Sequence, residues 1–144
     1  MILLIISLYL DGLIASLNIE YLVPLLTLSS LIFLRYYNNV KYYLLSFIVG
    51  LIYDLLFTNV LLFHSVIFLN IALIIKHIKI KDNLKNNILL TLISIVLYRI
   101  IMYLLFILLH VNMNLFESIY NSIIINILFV IIIYPLKKMN KNKI

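Results

Sequence analysis

The sequence has no cysteine, only two glycines and two prolines, and few charged residues. A chain without cysteine makes no disulfide, no thiolate nucleophile and no cysteine-ligated metal site. With Gly12 and Gly50 as its only glycines, it has no glycine-rich loop to cradle a phosphate, and it contains no HExxH string. Charged residues make up 11% of the chain, whereas a soluble domain has about 25%. These absences exclude several enzyme classes and argue against a soluble fold.

Apolar residues dominate what is present, because 66% of the 144 residues are hydrophobic. A soluble domain of this size keeps too much of its surface wet to hide so many apolar side chains. In a bilayer every backbone N–H and C=O needs an internal partner, which leaves helices or closed barrels. Barrel strands alternate apolar and polar residues, and runs such as 123–133 do not alternate. The composition therefore predicts an all-α integral membrane protein without a soluble domain.

Six segments approach the length of about 20 mostly apolar residues that a spanning helix needs. We therefore predict a six-helix transmembrane bundle, with residues 1–144 as a single membrane domain. Pro24 falls in the first turn of the second span, where its missing N–H costs nothing, and Pro135 ends the last span. The sequence leaves open whether the first two spans both cross fully. The predicted spans are about 2–17, 21–37, 42–57, 60–75, 88–109 and 118–136.

Lysine and arginine predict the orientation of these spans, because positively charged short loops stay in the cytoplasm. Six spans put every loop cation on one side, with both termini inside, while Glu20 and Glu117 fall on the other side. The N-terminal run lacks a basic region and a cleavage site, so we expect a span and not a cleaved signal peptide. The basic loops also predict attraction to anionic lipid headgroups. The cations are Arg35, Lys41, Lys76, Lys79, Lys81, Lys85, Lys137, Lys138, Lys141 and Lys143.

Five polar residues fall inside the predicted spans: Asp11, Asp54, His64, Arg99 and Asn126. Counted from the cytoplasmic end of each helix, they lie about 14–19 Å deep, which places them in one layer. Opposite charges at one depth relieve each other's burial cost, so we predict an ion pair between Asp54 and Arg99. Two interpretations stay open for the layer. It is either a set of interhelical contacts that holds the bundle together, or a site for a ligand or a proton.

The sequence gives only weak evidence for a metal site or a catalytic site. His64 has too few companions to hold a metal, since His77 and His110 fall at opposite membrane faces, and we expect no metal and no cofactor. No Ser/His/Asp set falls on the loops. An intramembrane protease with Asp11 and Asp54 as an aspartyl dyad is a third hypothesis. Gly50 predicts either close helix approach, the commoner use of such a glycine, or a hinge, and we recognise no internal repeat.

The stretch from Val23 to Lys85 resembles the rod shape-determining protein family MreD. The most specific part is the string Gly50-Leu51-Ile52-Tyr53-Asp54, followed by a polar turn at Thr58-Asn59 and a second apolar helix. Val23-Pro24 opens a span, Ile124-Ile125-Asn126 lies deep in the last span, and Pro135-Leu136 precedes a basic tail. The chain departs from the family at Leu61-Leu62, where a glycine often follows the turn.

This resemblance implies a non-enzymatic, multi-pass component of the bacterial cytoplasmic membrane that serves cell elongation and peptidoglycan synthesis. It implies that the chain binds and orients MreC through the membrane helix and adjacent region of that protein. MreB, a RodA-type glycosyltransferase and a penicillin-binding transpeptidase are the implied indirect partners, and no nucleic acid is expected. The fold is also similar to the six-helix substrate-binding subunits of energy-coupling vitamin transporters. A small-molecule-binding or transport subunit is therefore the alternative function.

Overall fold

The computed structural model describes residues 2–16, 23, 25–57, 61–78, 80–108 and 115–141. Within these ranges all regular structure is helical. The helices are α1 (Ile2–Ala15), α2 (Leu26–Phe33), α3 (Asn39–Phe57), α4 (Phe63–His77), α5 (Leu84–Leu108) and α6 (Leu115–Lys141).

Among the described residues, three helical segments are long and apolar enough to cross a membrane. They are α3, α5 and the Ser118–Leu136 part of α6, while α1 and α4 are apolar but shorter. Large apolar side chains such as Ile5, Leu55 and Leu128 are mostly exposed on the outside of the bundle. Such an outer surface suits lipid and not water. The architecture is that of an α-helical membrane protein.

Helix α2 departs most from the predicted spans. The prediction that this span is helical as far as residue 37 is wrong, because α2 covers eight residues, Leu26–Phe33, and a turn follows at 34–36. Eight residues rise about 12 Å, which is less than half of a hydrocarbon core of about 30 Å. Every residue of α2 is buried. Hydropathy could not distinguish a helix enclosed by other helices from one that faces lipid, since both are apolar.

Helix α2 lies at the centre of the bundle, where it contacts α1, α4, α5 and α6. Its Leu28, Leu31 and Ile32 join Phe68 and Ile71 of α4 in the buried apolar core. Consecutive helices also pack in pairs, α1 with α2, α3 with α4 and α5 with α6. The bundle therefore consists of three helical pairs, with α2 of the first pair at its centre.

The remaining boundaries shift by a few residues. Helices α1, α3, α4 and α5 correspond to the predicted spans 2–17, 42–57, 60–75 and 88–109, with different ends. The candidate span within α6 is Ser118–Leu136, with Pro135 at its end as predicted, and the helix itself continues through Pro135 to Lys141. Membrane helices tolerate such a proline when neighbouring groups compensate for the lost hydrogen bond. Pro24, Thr58 and Asn59 lie outside the described residues, as do Glu20, Lys79, His110 and Lys143.

Candidate functional site

Asp11 of α1 binds the beginning of α2. Its carboxylate accepts hydrogen bonds from the backbone N–H groups of Leu26 and Thr27, each at 2.9 Å, and from the Thr27 hydroxyl at 2.7 Å. The residue before the helix, Leu25, has a φ of 63° and offers no side-chain cap of its own. The first N–H groups of a helix lack partners within it and carry partial positive charge. A fully buried carboxylate from another helix satisfies them here.

Asp54 of α3 likewise caps the beginning of α4. Its carboxylate accepts hydrogen bonds from the backbone N–H groups of His64 at 2.9 Å and Ser65 at 3.3 Å, and from the Ser65 hydroxyl at 3.1 Å. Here too the residue before the helix, Leu62, has a positive φ, 72°, and no side-chain cap. Asp54 is fully buried, so the bonds compensate for the lost hydration of its charge.

These two arrangements form one device used twice, which we call the carboxylate clasps: Asp11 on Leu26 and Thr27, and Asp54 on His64 and Ser65. The repetition is not apparent in the sequence, because the number of residues between the aspartate and the helix that it caps differs. Asp11 precedes Leu26 by 15 residues, whereas Asp54 precedes His64 by 10. The signal that remained visible was a hydroxyl residue near the start of each second helix, Thr27 and Ser65, which is typical of a helix N-terminus.

The predicted ion pair between Asp54 and Arg99 is wrong. Asp54 is instead hydrogen-bonded to His64, whose Nδ1 lies 2.8 Å from the carboxylate. Arg99 is at a similar depth by sequence, but the N–H groups at the start of α4 are a nearer source of positive potential for Asp54. Asp54 is thus engaged within its own helical pair.

Arg99 of α5 is hydrogen-bonded to two other segments of the chain. Its Nη2 donates hydrogen bonds to the carbonyl of Val23 and to the hydroxyl of Ser122 on α6, both at 2.6 Å. Its Nε is buried and has no hydrogen-bond partner among the described residues. The guanidinium therefore ties α5 to α6 and to the segment that leads into α2.

His64 links α4 to α3 and to α5. Because a carboxylate only accepts hydrogen bonds, Nδ1 carries the proton in the bond to Asp54. In the neutral ring, Nε2 then accepts the hydroxyl hydrogen of Tyr98 on α5, at 2.8 Å. The rings of His64 and Tyr98 also stack, with centroids 5.9 Å apart. Asp54, His64 and Tyr98 form a continuous hydrogen-bonded row across three helices.

Asn126 of α6 reaches the central helix. Its Oδ1 accepts a hydrogen bond from the hydroxyl of Ser29 on α2, and its Nδ2 donates to the carbonyl of Ser122 at 2.8 Å. All five polar residues singled out in the sequence are buried and hydrogen-bonded. The residues that sequence reasoning missed are their partners: Val23, Thr27, Ser29, Ser65, Tyr98 and Ser122.

Gly50 permits the close approach of α3 and α4. A Cβ added at Gly50 would lie 2.4 Å from Cα of Ser65 and 2.7 Å from its backbone nitrogen. Such distances are impossible without moving the backbone of α4. The prediction of close packing at Gly50 is confirmed. The Gly50 contact falls on Ser65, so Gly50 and the Asp54 clasp fix the same turn of α4.

Two loop cations are engaged within the protein. Arg35 donates hydrogen bonds to the Ile32 carbonyl at 3.0 Å and to Oδ1 of Asn87, and lies 3.8 Å from Asp82. Lys76 donates to the backbone carbonyls of Arg35 and Tyr37. These bonds satisfy carbonyls where α2 ends, so Arg35 and Lys76 brace that end of the bundle in addition to any role in orientation.

The polar layer as a whole connects helices to one another. No cluster of three or more potential metal ligands occurs within the part of the chain that the structure describes. The sequence matches no family model, and comparison with curated proteins and with solved structures likewise finds no match. The contacts of the buried polar residues, together with the sequence motifs, are therefore the grounds on which a function can be proposed.

Proposed function

We propose that this chain is a non-enzymatic membrane component of the bacterial cell-elongation machinery, of the MreD type. It binds and orients an MreC-type partner, and through that protein it acts with MreB filaments, a RodA-type glycosyltransferase and a penicillin-binding transpeptidase. In this role the chain offers helix faces to other membrane helices, and its buried polar groups keep those faces rigid.

The observation that carries the proposal is the role of the string from Gly50 to Asp54. The residues on which the resemblance to MreD rests are the ones that join α3 to α4, since Gly50 admits the backbone of Ser65 and Asp54 caps α4. Asn126, another matching residue, bonds to the central helix. A family motif with a packing role suits a protein whose function is to present a fixed surface.

The proposal includes a six-crossing topology in the cytoplasmic membrane, with both termini in the cytoplasm. Lys76 and Arg35 lie together at one end of the bundle, which agrees with a single cytoplasmic side for the loop cations. Helix α2 then carries the chain only from the level of Asp11 to Arg35, about half of a crossing.

A catalytic role for Asp11 and Asp54 finds no support in their contacts. An aspartyl dyad needs two carboxylates that face each other and share a proton. Asp11 instead binds the start of α2 and Asp54 the start of α4. We expect substitution of either residue to change stability and not to abolish a cleavage reaction.

Depletion of the protein from a rod-shaped cell, together with purification in detergent, tests the proposal. We expect depleted cells to become round and the tagged protein to retain the MreC-type protein. The control is the Leu128→Ala variant, changed at an exposed residue of α6. It should restore rod shape when expressed in depleted cells. Normal shape after depletion, with no MreC-type protein retained, would contradict the proposal.

A small-molecule-binding subunit, similar to that of an energy-coupling vitamin transporter, is the second candidate. The buried Nε of Arg99, which lacks a hydrogen-bond partner among the described residues, favours it because an anionic ligand would supply one. A ligand retained on purification, or a thermal shift that Arg99→Met abolishes, would support this function over the first.

A further inference from the structure

A groove of about 500 Å³ runs along the outside of the bundle between α4 and α5. Phe63, Val66 and Asn70 of α4 line one wall, and Ile101 and Leu105 of α5 line the other. An apolar outer groove says little by itself, because lipid-facing surfaces are apolar everywhere. The groove differs from such a surface in one residue, Asn70.

Asn70 is exposed at the middle of α4, seven residues from either end of the helix and therefore about 10 Å from each. Its Nδ2 donates a hydrogen bond to the carbonyl of Val66 at 2.8 Å. Its Oδ1 has no hydrogen-bond donor among the described residues. Within hydrocarbon a polar group without a partner is costly, and a lipid chain has no donor to offer.

We propose that this groove holds the single transmembrane helix of a partner protein, whose side chain donates a hydrogen bond to Oδ1 of Asn70. The inference rests on the proposed function, in which an MreC-type protein brings such a helix. The partner helix needs a serine, threonine, asparagine or glutamine level with Asn70, and small residues beside it for close approach.

A second copy of this chain fits the groove less well. Most protein dimers are two-fold symmetric, so the same patch would face itself across the axis. Two concave surfaces would leave unfilled space between them, whereas packed interfaces leave few voids. A single convex helix fills a concave groove.

Disulfide cross-linking tests the site in membranes of cells that also express the MreC-type partner. Because the chain has no cysteine, Val66→Cys introduces its only thiol, and Leu128→Cys on α6 is the matched control. Val66 is 50% exposed and Leu128 56%. With single cysteines placed along the partner's anchor helix, we expect Val66→Cys to cross-link at positions on one helical face and Leu128→Cys not to cross-link.

The other outcomes separate the site from the function. Cross-links from Leu128→Cys alone would contradict the placement of the partner helix in the groove, while they would still support binding of the MreC-type partner. Absence of cross-links from both positions, with no partner retained in detergent, would overturn both. Cross-links between two copies through Val66→Cys would show that the occupant is the chain itself, which overturns the proposal.

Substitution of Asn70 tests the hydrogen bond. An interhelical hydrogen bond in a membrane is modest, so Asn70→Leu should reduce partner binding about 3- to 30-fold. Asn70→Gln retains the amide and should reduce partner binding less than Asn70→Leu does. Because Asn70 is exposed, both variants should keep the wild-type melting temperature in detergent. Unchanged binding by Asn70→Leu would overturn the assignment.

Discussion

The carboxylate of Asp54 lies 2.9 Å from the backbone nitrogen of His64 and 2.8 Å from Nδ1 of the same residue. One side chain of α3 thereby fixes both the first turn of α4 and the ring orientation of its histidine. That ring in turn meets Tyr98 of α5. Because the relationship joins local capping to the packing of three helices, a change at Asp54 should disturb α3, α4 and α5 together.

Replacement of Asp54 by alanine should destabilise the fold by about 2–4 kcal/mol, because the substitution leaves buried N–H groups without an acceptor. Asp54→Asn should destabilise the fold less, since its amide oxygen still accepts hydrogen bonds from these N–H groups. Melting in detergent measures both, with Leu55→Ala as the control at a neighbouring residue that is 69% exposed. Equal melting temperatures for Asp54→Ala and Leu55→Ala would contradict the clasp.

The two glycines form a natural pair for comparison. Gly50→Ala should cost about 1–3 kcal/mol or more, because its Cβ collides with the backbone of Ser65. At Gly12 the added Cβ meets the ring of Phe57, at 2.7 Å, and a side chain can move aside. We expect Gly12→Ala to melt closer to the wild type than Gly50→Ala does. The reverse order would contradict the packing of α3 against α4.

Removal of the Tyr98 hydroxyl should leave Nε2 of His64 without its partner. Tyr98→Phe should therefore cost about 1–3 kcal/mol. Tyr120→Phe on α6 is the control, since Tyr120 is 66% exposed. A melting temperature unchanged by Tyr98→Phe would show that the row from Asp54 to Tyr98 does not contribute to stability.

The sequence predicted an all-helical membrane protein correctly, because long apolar runs and sparse charge are properties of composition. It also identified the five buried polar residues, since ionisable groups are rare inside membrane helices. It could not predict their partners. Helix α2 shows why: it begins after Leu25, and its start is capped by Asp11, a contact between residues 15 or more apart.

The mistaken pairing of Asp54 with Arg99 has a similar cause. Charge and depth can be estimated from sequence, but backbone N–H groups are present at every residue, and only the fold shows which ones lack partners. The hydroxyl residues Thr27 and Ser65 carried the local signal for both clasps. Their role as partners of the two aspartates depends on where α2 and α4 begin, which only the structure shows.

Two double-mutant cycles, measured as melting stability in detergent, test the central claim that Asp54 stabilises the α3–α4 pair through its contacts with α4 and not through Arg99. We expect Asp54→Ala and His64→Ala to be coupled by about 1–3 kcal/mol, because their side chains are in contact. We expect Asp54→Ala and Arg99→Ala to be additive within about 0.5 kcal/mol. A double Asp54→Ala, Arg99→Ala variant that is more stable than either single variant would contradict the account, because it would show that the two charges depend on each other.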